Sequence, residues 1–284
     1  MSFRLEINQL NLHQNLFFMK EYPSCALIAT TYNWPEALEL LLLSVLNQTV
    51  LPNEVIIADD GSREDTKQLI DDFKKKFPVS LIHVWHEDNG FRLATIRNKA
   101  IASAQSDYII QIDGDIIINK NFIKDHLTHA QKNQFLFGSR VNIKQAFLQE
   151  LFILKKIHFN FFSKGIKKRF RTIRIPFYTN FIKQNHVISS KLRGCNMSFW
   201  KNDIIKINGY NEKFIGWGCD DYELGYRLHN SGTAGRRLKF AGIEYHIFHP
   251  EASKSNTTNN EIIQRETFEK KIFFINDGIN KYLP

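Results

Sequence analysis

Cysteine is scarce in this chain: Cys25, Cys195 and Cys219 are the full complement. An odd number of thiols without metal-ligand spacing argues against a disulfide framework, and reduced thiols in a cytoplasmic protein are expected. The first residues lack a basic stretch followed by an apolar core, so no signal peptide is expected. Long apolar runs are missing as well. The richest, around Leu40 to Leu43, is broken by Glu39 and Ser44 and falls short of a bilayer span. No internal repeat is present.

Acidic residues are absent from one stretch. Residues 151–191 hold ten Lys/Arg and no Asp/Glu. Removing those ten from the 38 basic residues leaves 28 against 29 acidic ones, so the formal net charge of +9 belongs to this segment. Such a local excess needs a local explanation. Composition is otherwise ordinary for a soluble protein, and 284 residues suffice for one large α/β domain.

What is present is an alternation of strands and helices. Cys25 to Thr30 reads as a buried strand, and Pro35 opens a leucine-rich helix over Glu36 to Gln48. Val55 to Ala58 is a second strand, ending at Asp59-Asp60-Gly61-Ser62. Asp65 to Lys76 is a helix that Pro78 helps to stop, and Leu81 to Trp85 is a third strand. A helix over Leu93 to Ala104 and a fourth strand, Tyr108 to Ile112, follow. This order predicts an α/β fold, with a mostly parallel, Rossmann-like sheet flanked by helices. A helix near Lys120 to Gln131, a strand at Phe135 to Ser139 and ordered structure at Leu192 to Trp200 come next. Residues 1–22 read as an extension, 251–261 as a polar linker and Ile262 to Ile275 as a helix.

Asp113-Gly114-Asp115 closes the fourth strand. Two carboxylates at the C-terminal edge of a strand suit a hard cation such as Mg²⁺ or Mn²⁺, shared with a substrate phosphate. That edge is also where open α/β sheets bind ligands. Alone, so short and common a motif would favour a solvated turn. Its company changes this: Thr30-Thr31-Tyr32-Asn33, Asp59-Asp60-Gly61-Ser62 and Arg97-Asn98 precede it. Arg193-Gly194-Cys195-Asn196-Met197-Ser198-Phe199, Gly209-Tyr210-Asn211-Glu212 and the run Trp217 to Leu228 follow it. In this order the motifs resemble family 2 glycosyltransferases of GT-A fold. The downstream block looks like the galactosyltransferase-type domain of bacterial chondroitin polymerases and β-1,4-galactosyltransferases. The resemblance covers roughly residues 24–250 and implies a GT-A domain over 23–250. Its nucleotide-binding half would be 23–140, its basic aromatic insertion 151–191, its acceptor half 192–250, and 251–284 a C-terminal linker and helix.

The resemblance implies an inverting sugar transfer from a nucleotide-sugar, most simply a UDP-sugar, with Mn²⁺ or Mg²⁺ as cofactor. Tyr32 would stack on uracil, with Thr30 and Asn33 beside it. Asp60 would accept from the uracil N3–H, and Asp59 would bind ribose or support the loop. Asp-Asp-Gly-Ser is equally a good turn and cap sequence. Arg97 would face the diphosphate as a fixed cation; the plain alternative is a surface arginine. Asp113, with Gly114 beside it, and Asp115 would hold the metal, joined by His246 or, as the alternative, His249. Strand alternation puts those two histidines on opposite faces. Asp221 would be the general base. The family pattern Trp-Gly-Gly-Glu-Asp is altered here: Cys219 stands at the second Gly and Asp220 at the Glu, which puts sugar selectivity in doubt. Trp217 would stack on a sugar, Asp220 and Asn196 would lie at the donor, and Gly194 would let backbone approach the ligand. Glu223 and Arg227, spaced i, i+4, would form a salt bridge.

The ten cations of 151–191 share the segment with eight aromatic residues. The segment is expected to rest on an anionic membrane or to bind an acidic acceptor, such as a lipid-linked glycan or lipopolysaccharide core. The bland alternative is a solvated insertion. No nucleic-acid module is present, so no nucleic acid is expected. A bacterial envelope glycan as acceptor, and a cytoplasmic enzyme peripheral to the inner face of the membrane, fit these features. A sugar-phosphate nucleotidyltransferase would need a glycine-rich loop with a basic residue after the first strand, and Thr30 to Asn33 offers neither. A non-catalytic basic membrane- or nucleic-acid-binding protein would not need Asp113, Asp115 and Asp221 together.

Overall fold

The computed structural model describes residues 21–184, 188–250 and 256–284. Most of the predicted extension, residues 1–20, lies outside them, as do three residues of the basic segment and five of the linker.

The first half builds as its pattern dictates. The apolar run Cys25–Thr31 is β1, and every one of its residues is buried. α1, Pro35–Leu46, starts with proline at its first turn and buries Leu38, Leu40, Leu41, Leu42 and Val45. Each such side chain contributes about 1.5–3 kcal/mol when removed from water. β2 is Glu54–Asp59, α2 Glu64–Lys74, β3 Ser80–Trp85, α3 Leu93–Ser103 and β4 Tyr108–Asp113. β1 pairs in parallel with both β2 and β4, in a register that sets Thr30 opposite Asp113 and Thr31 opposite Asp59. The candidate residues therefore share one sheet edge.

After β4 the chain departs from the simple alternation. Ile116–Ile118 forms β5, an element the sequence pattern does not separate from the Asp-Gly-Asp turn; α4, Phe122–His129, follows. The single strand expected at 135–139 is two, β6 at Gln134–Phe137 and β7 at Ser139–Ile143, and they enter different sheets. α5 is Leu148–Ile153, β8 Ile166–Lys167, β9 Asn196–Trp200, α6 Lys201–Lys206 and α7 Asp220–Asn230. β10 is Ala234–Arg237, β11 Ile243–His246 and α8 Thr257–Glu269.

The large sheet runs β10-β6-β9-β4-β1-β2-β3 and the small one β5-β11-β7-β8. β9 is antiparallel to both its neighbours in an otherwise parallel sheet. One apolar cluster packs α1, α2 and α4 on one face of the large sheet, and another packs α3 and α7 on the opposite face. The terminal helix begins at Thr257 and ends at Glu269, so 257–261 is helix and 270–275 is not. Composition misled there because Asn260 uses its polarity in a tertiary contact: its amide donates to the carbonyls of Ile215 and Gly218.

Candidate active site

The edge of β4, the end of β11 and the start of α7 converge. Asp115 Oδ2 lies 3.3 Å from His246 Nε2 and 3.1 Å from His249 Nε2. Both histidines therefore face the same carboxylate, which corrects the expectation of opposite faces. β11 ends at His246, and the Ile247 N–H donates to the Asp115 carbonyl, so strand alternation no longer governs where His249 points. Burial pushes His246 down to about 4, which favours the neutral imidazole a metal ligand needs. The hydrogen bond that His249 donates to the Asp115 carboxylate raises the pKa of His249. Burial works to raise Asp115, but His249, His246 and Arg140 outweigh it and hold it below the usual range. Asp115 Oδ1 is buried without a hydrogen-bond partner. An orphaned carboxylate oxygen beside two imidazoles is a donor set that fits a divalent cation.

Asp113 stands apart from that trio. Its Oδ1 accepts from Thr30 Oγ1 at 3.0 Å and from Arg97 Nη2 at 3.1 Å. Burial raises its pKa against the pull of Arg97. Gly114 touches β1: its N–H donates to the Thr30 carbonyl at 2.6 Å, and an added Cβ would sit 2.7 Å from that same oxygen. Glycine is needed here for the turn to lie on β1, which gives Gly114 a backbone rather than a ligand role.

Arg97 is neither a surface residue nor a free cation. It is 1% exposed on α3, lies over the Tyr210 ring at 5.1 Å, and joins three carboxylates. Nη1 reaches Asp220 at 2.9 Å and Asp221 at 3.0 Å, while Nη2 holds Asp113. Burial, followed by repulsion from Asp221, pushes Asp220 up to about 7. One guanidinium thus faces three acids, while a fourth, Asp115, is held instead by two histidines and Arg140.

Asp221 is aimed by the backbone. Its Oδ2 accepts the Gly194 N–H at 2.7 Å, just before β9. A Cβ at Gly194 would meet Asp221 Cγ at 2.6 Å. The glycine admits the carboxylate rather than a ligand, a role the motif alone did not disclose. The turn that leads to Asp221 is conformationally unusual: Gly216, Gly218 and Cys219 all have positive φ, at 74°, 108° and 71°. Cys219 thus occupies a left-handed conformation that glycine adopts freely. Trp217 stands between those glycines and is 47% exposed, not a core tryptophan. α8 braces the turn through Asn260, and Thr267 donates to Glu223. The Glu223–Arg227 pair is formed at 2.7 Å and is fully buried.

At the opposite rim Tyr32 is 52% exposed, and its hydroxyl donates to Asp88 at 2.9 Å. Three other sequence candidates are occupied inside the protein. Asp59 is fully buried between the Ser62 N–H and His83, so it supports the loop and does not reach ribose. Asp60 is held by His86 at 2.6 Å and by the Arg92 N–H at 3.0 Å. Asn33 accepts the Arg63 N–H, tying the two loops together. Asn196 is also buried, its amide nitrogen donating to the Gly242 carbonyl and its Oδ1 left without a hydrogen-bond partner. Sequence reasoning missed His83 and His86. The signal was a pair three residues apart at the end of β3, the strand paired with the one carrying Asp59.

Comparisons with known proteins bear on this arrangement. Residues 26–188 match the family model for glycosyl transferase family 2, and residues 178–250 match one described as N-terminal domain of galactosyltransferase. Chondroitin synthase of Pasteurella multocida is 26% identical over 83% of this chain, and that of Escherichia coli 27% over 82%. The chain spans only 26% and 36% of the length of those two relatives. Among solved structures, S. aureus TarS 1–349 in complex with UDP is 16% identical, with a TM-score of 0.59 over 85% of this chain and 64% of that one. GalNAc-T7 with UDP, GalNAc and Mn²⁺ is 13% identical, with a TM-score of 0.59 over 82% of this chain and 45% of that one. At these identities the likeness to solved structures speaks for the fold.

Proposed function

The chain belongs to glycosyl transferase family 2, and we propose that it transfers a sugar, with inversion, from a UDP-sugar to a hydroxyl of a bacterial envelope glycan. The observation that carries this reading is the meeting of two devices at one sheet edge. Asp115, His246 and His249 form a cation-ready trio, and Asp221 is a carboxylate aimed by the Gly194 N–H and Arg97. Two structural neighbours solved with UDP, one of them also with Mn²⁺, agree with it.

On this reading Tyr32 offers its exposed ring to uracil. Asp115, His246 and His249 hold Mn²⁺ or Mg²⁺, with Asp113 nearby. An ion held there would supply charge neutralisation for the departing diphosphate. Asp221 takes the proton of the acceptor hydroxyl as that oxygen attacks the anomeric carbon. Arg97 fixes the Asp221 carboxylate in direction. Trp217 presents a ring face to a sugar. The expected product is β-linked, and the expected workplace is the cytoplasm, at the inner face of the membrane.

A panel of UDP-sugars incubated with the protein and Mn²⁺, with UDP release as the readout, tests this. One donor is expected to be hydrolysed well above the others, and EDTA is expected to stop it. No release from any UDP-sugar, with or without a glycan acceptor, would remove the proposal.

A further inference from the structure

The acid-free segment is not a loose loop. Arg174 forks onto Asp125, a buried carboxylate, with Nε 3.1 and 3.0 Å from its two oxygens. The Ile175 N–H donates to the Phe240 carbonyl at 2.8 Å, and Arg236 Nη2 donates to the Thr179 carbonyl at 2.7 Å. Upstream, β8 pairs with β7, and Arg171 Nη1 donates to the Arg140 carbonyl at 2.9 Å.

Around β8 and just before the other anchors, residues 161–170 form a small knob closed by one side chain. Arg169 Nη1 donates to the carbonyls of Phe161 and Ser163 at 2.8 and 2.7 Å. Phe161 packs edge-on against Phe162 and against Phe170, each pair of ring centres 5.4 Å apart. Phe162 is 85% exposed and Phe170 73%. Lys164, Lys167 and Lys168 are exposed on the same loop. Lys168 stands among further cations, Arg171, Arg140, Arg193 and Lys167. Two phenyl rings held in water by a closed loop, ringed by cations and far in sequence from any acid, suit a surface that is apolar beneath and anionic at its face.

We propose that this knob docks the protein on an anionic lipid bilayer, Phe162 and Phe170 entering the interfacial zone and Lys164, Lys167 and Lys168 meeting the headgroups. Among the described residues no helix is long and apolar enough to cross a membrane; the contact proposed is a peripheral one. The knob also lies close to the chemistry. Lys167 pairs in register with Asn142, and Asn142 with His246, so two strand steps separate the knob from the cation-ready trio. Docking there would bring the mouth of the site to the headgroup layer, where a lipid-linked acceptor presents its hydroxyls. The docking itself does not rest on the donor or the reaction proposed above.

The test is sedimentation of the full chain with vesicles of phosphatidylcholine, with and without phosphatidylglycerol. Binding is expected only when phosphatidylglycerol is present, and salt is expected to weaken it. Phe162→Ser with Phe170→Ser, and separately Lys167→Ser with Lys168→Ser, are each expected to weaken it by about tenfold or more. All four side chains are exposed, and unchanged melting temperatures verify that both variants fold. Wild-type protein that does not sediment with phosphatidylglycerol vesicles would overturn the proposal. So would binding that survives both double substitutions. Binding that ignores the phenylalanines, falls with the lysines and is displaced by a soluble acidic polysaccharide would also overturn it, and would assign the cations to an acidic glycan.

Discussion

Gly194→Ala puts the proposed base under direct steric test. The Asp221 carboxylate is held by the Gly194 N–H at 2.7 Å and by Arg97 at 3.0 Å. A methyl group at position 194 would lie 2.6 Å from Asp221 Cγ, with the Oδ1 atom nearer still. Ordinary carbon contacts begin at about 3.5 Å, so the carboxylate must retreat by roughly 1 Å. A misplacement of that size costs on the order of 10²-fold in rate, equivalent to about 2.7 kcal/mol of activation free energy. A positioned general base contributes about 10²–10⁴-fold, so the displacement removes a large share of what Asp221 supplies. The assay is steady-state UDP release from the preferred donor in saturating Mn²⁺, with calorimetric donor binding and a melting curve beside it. Turnover is expected to fall about 10²-fold while donor affinity stays near wild type. Asp221→Asn keeps the shape but cannot accept a proton and is expected to fall by about as much or more. Because both substitutions disable one device, the double variant is expected to lose little beyond Asp221→Asn alone. Wild-type turnover in Gly194→Ala, or losses that multiply in the double variant, would refute the assignment of Asp221 as a base aimed by this glycine.

Three further outcomes follow from the same geometry. Asp115→Ala removes the carboxylate that both histidines face, so it is expected to abolish Mn²⁺-dependent UDP release and to weaken Mn²⁺ binding in titration calorimetry; unchanged binding would place the metal elsewhere. Arg97→Met leaves the Asp113, Asp220 and Asp221 carboxylates without their shared cation, and removing one partner of a buried ion pair costs about 3–5 kcal/mol. Denaturant titration without metal is expected to show a loss of that order, and a loss below about 1 kcal/mol would contradict the hub role. Burial in the core holds His126 down to about 3. Its folded pKa lies below its unfolded value of about 6.5, so its contribution is complete above that value and is lost as pH falls toward the folded one. The slope is about 1.4 kcal/mol per pH unit in that window, and His126→Gln is expected to lessen it in urea titrations at pH 4 to 6; an identical slope in the variant would count against this cause.

The parallel sheet and the order of its first four strands were legible because their apolar runs are bounded by Pro35, Asp59-Asp60-Gly61-Ser62 and Asp113-Gly114-Asp115, local signals that need no tertiary information. The residue types of the site were legible for the same reason: Asp115, Asp221 and two histidines fall in short motifs of recognisable order. What those residues touch was not legible, because contact partners lie far apart along the chain. Arg97 meets Asp220 and Asp221, more than 120 residues away, so its burial and its hub role follow from α3 packing against the start of α7. Gly194 is small for Asp221 and not for a ligand, which appears only once β9 enters the large sheet antiparallel beside β4. Strand alternation predicted one histidine per face, but the chain leaves β11 at His246, and the turn returns His249 to the same carboxylate. Asp59, Asp60 and Asn196 show the same limit from the other side. Their chemistry suits a ligand, yet the packed sheet edge supplies internal hydrogen-bond partners first, donors to Asp59 and Asp60 and a carbonyl to the Asn196 amide.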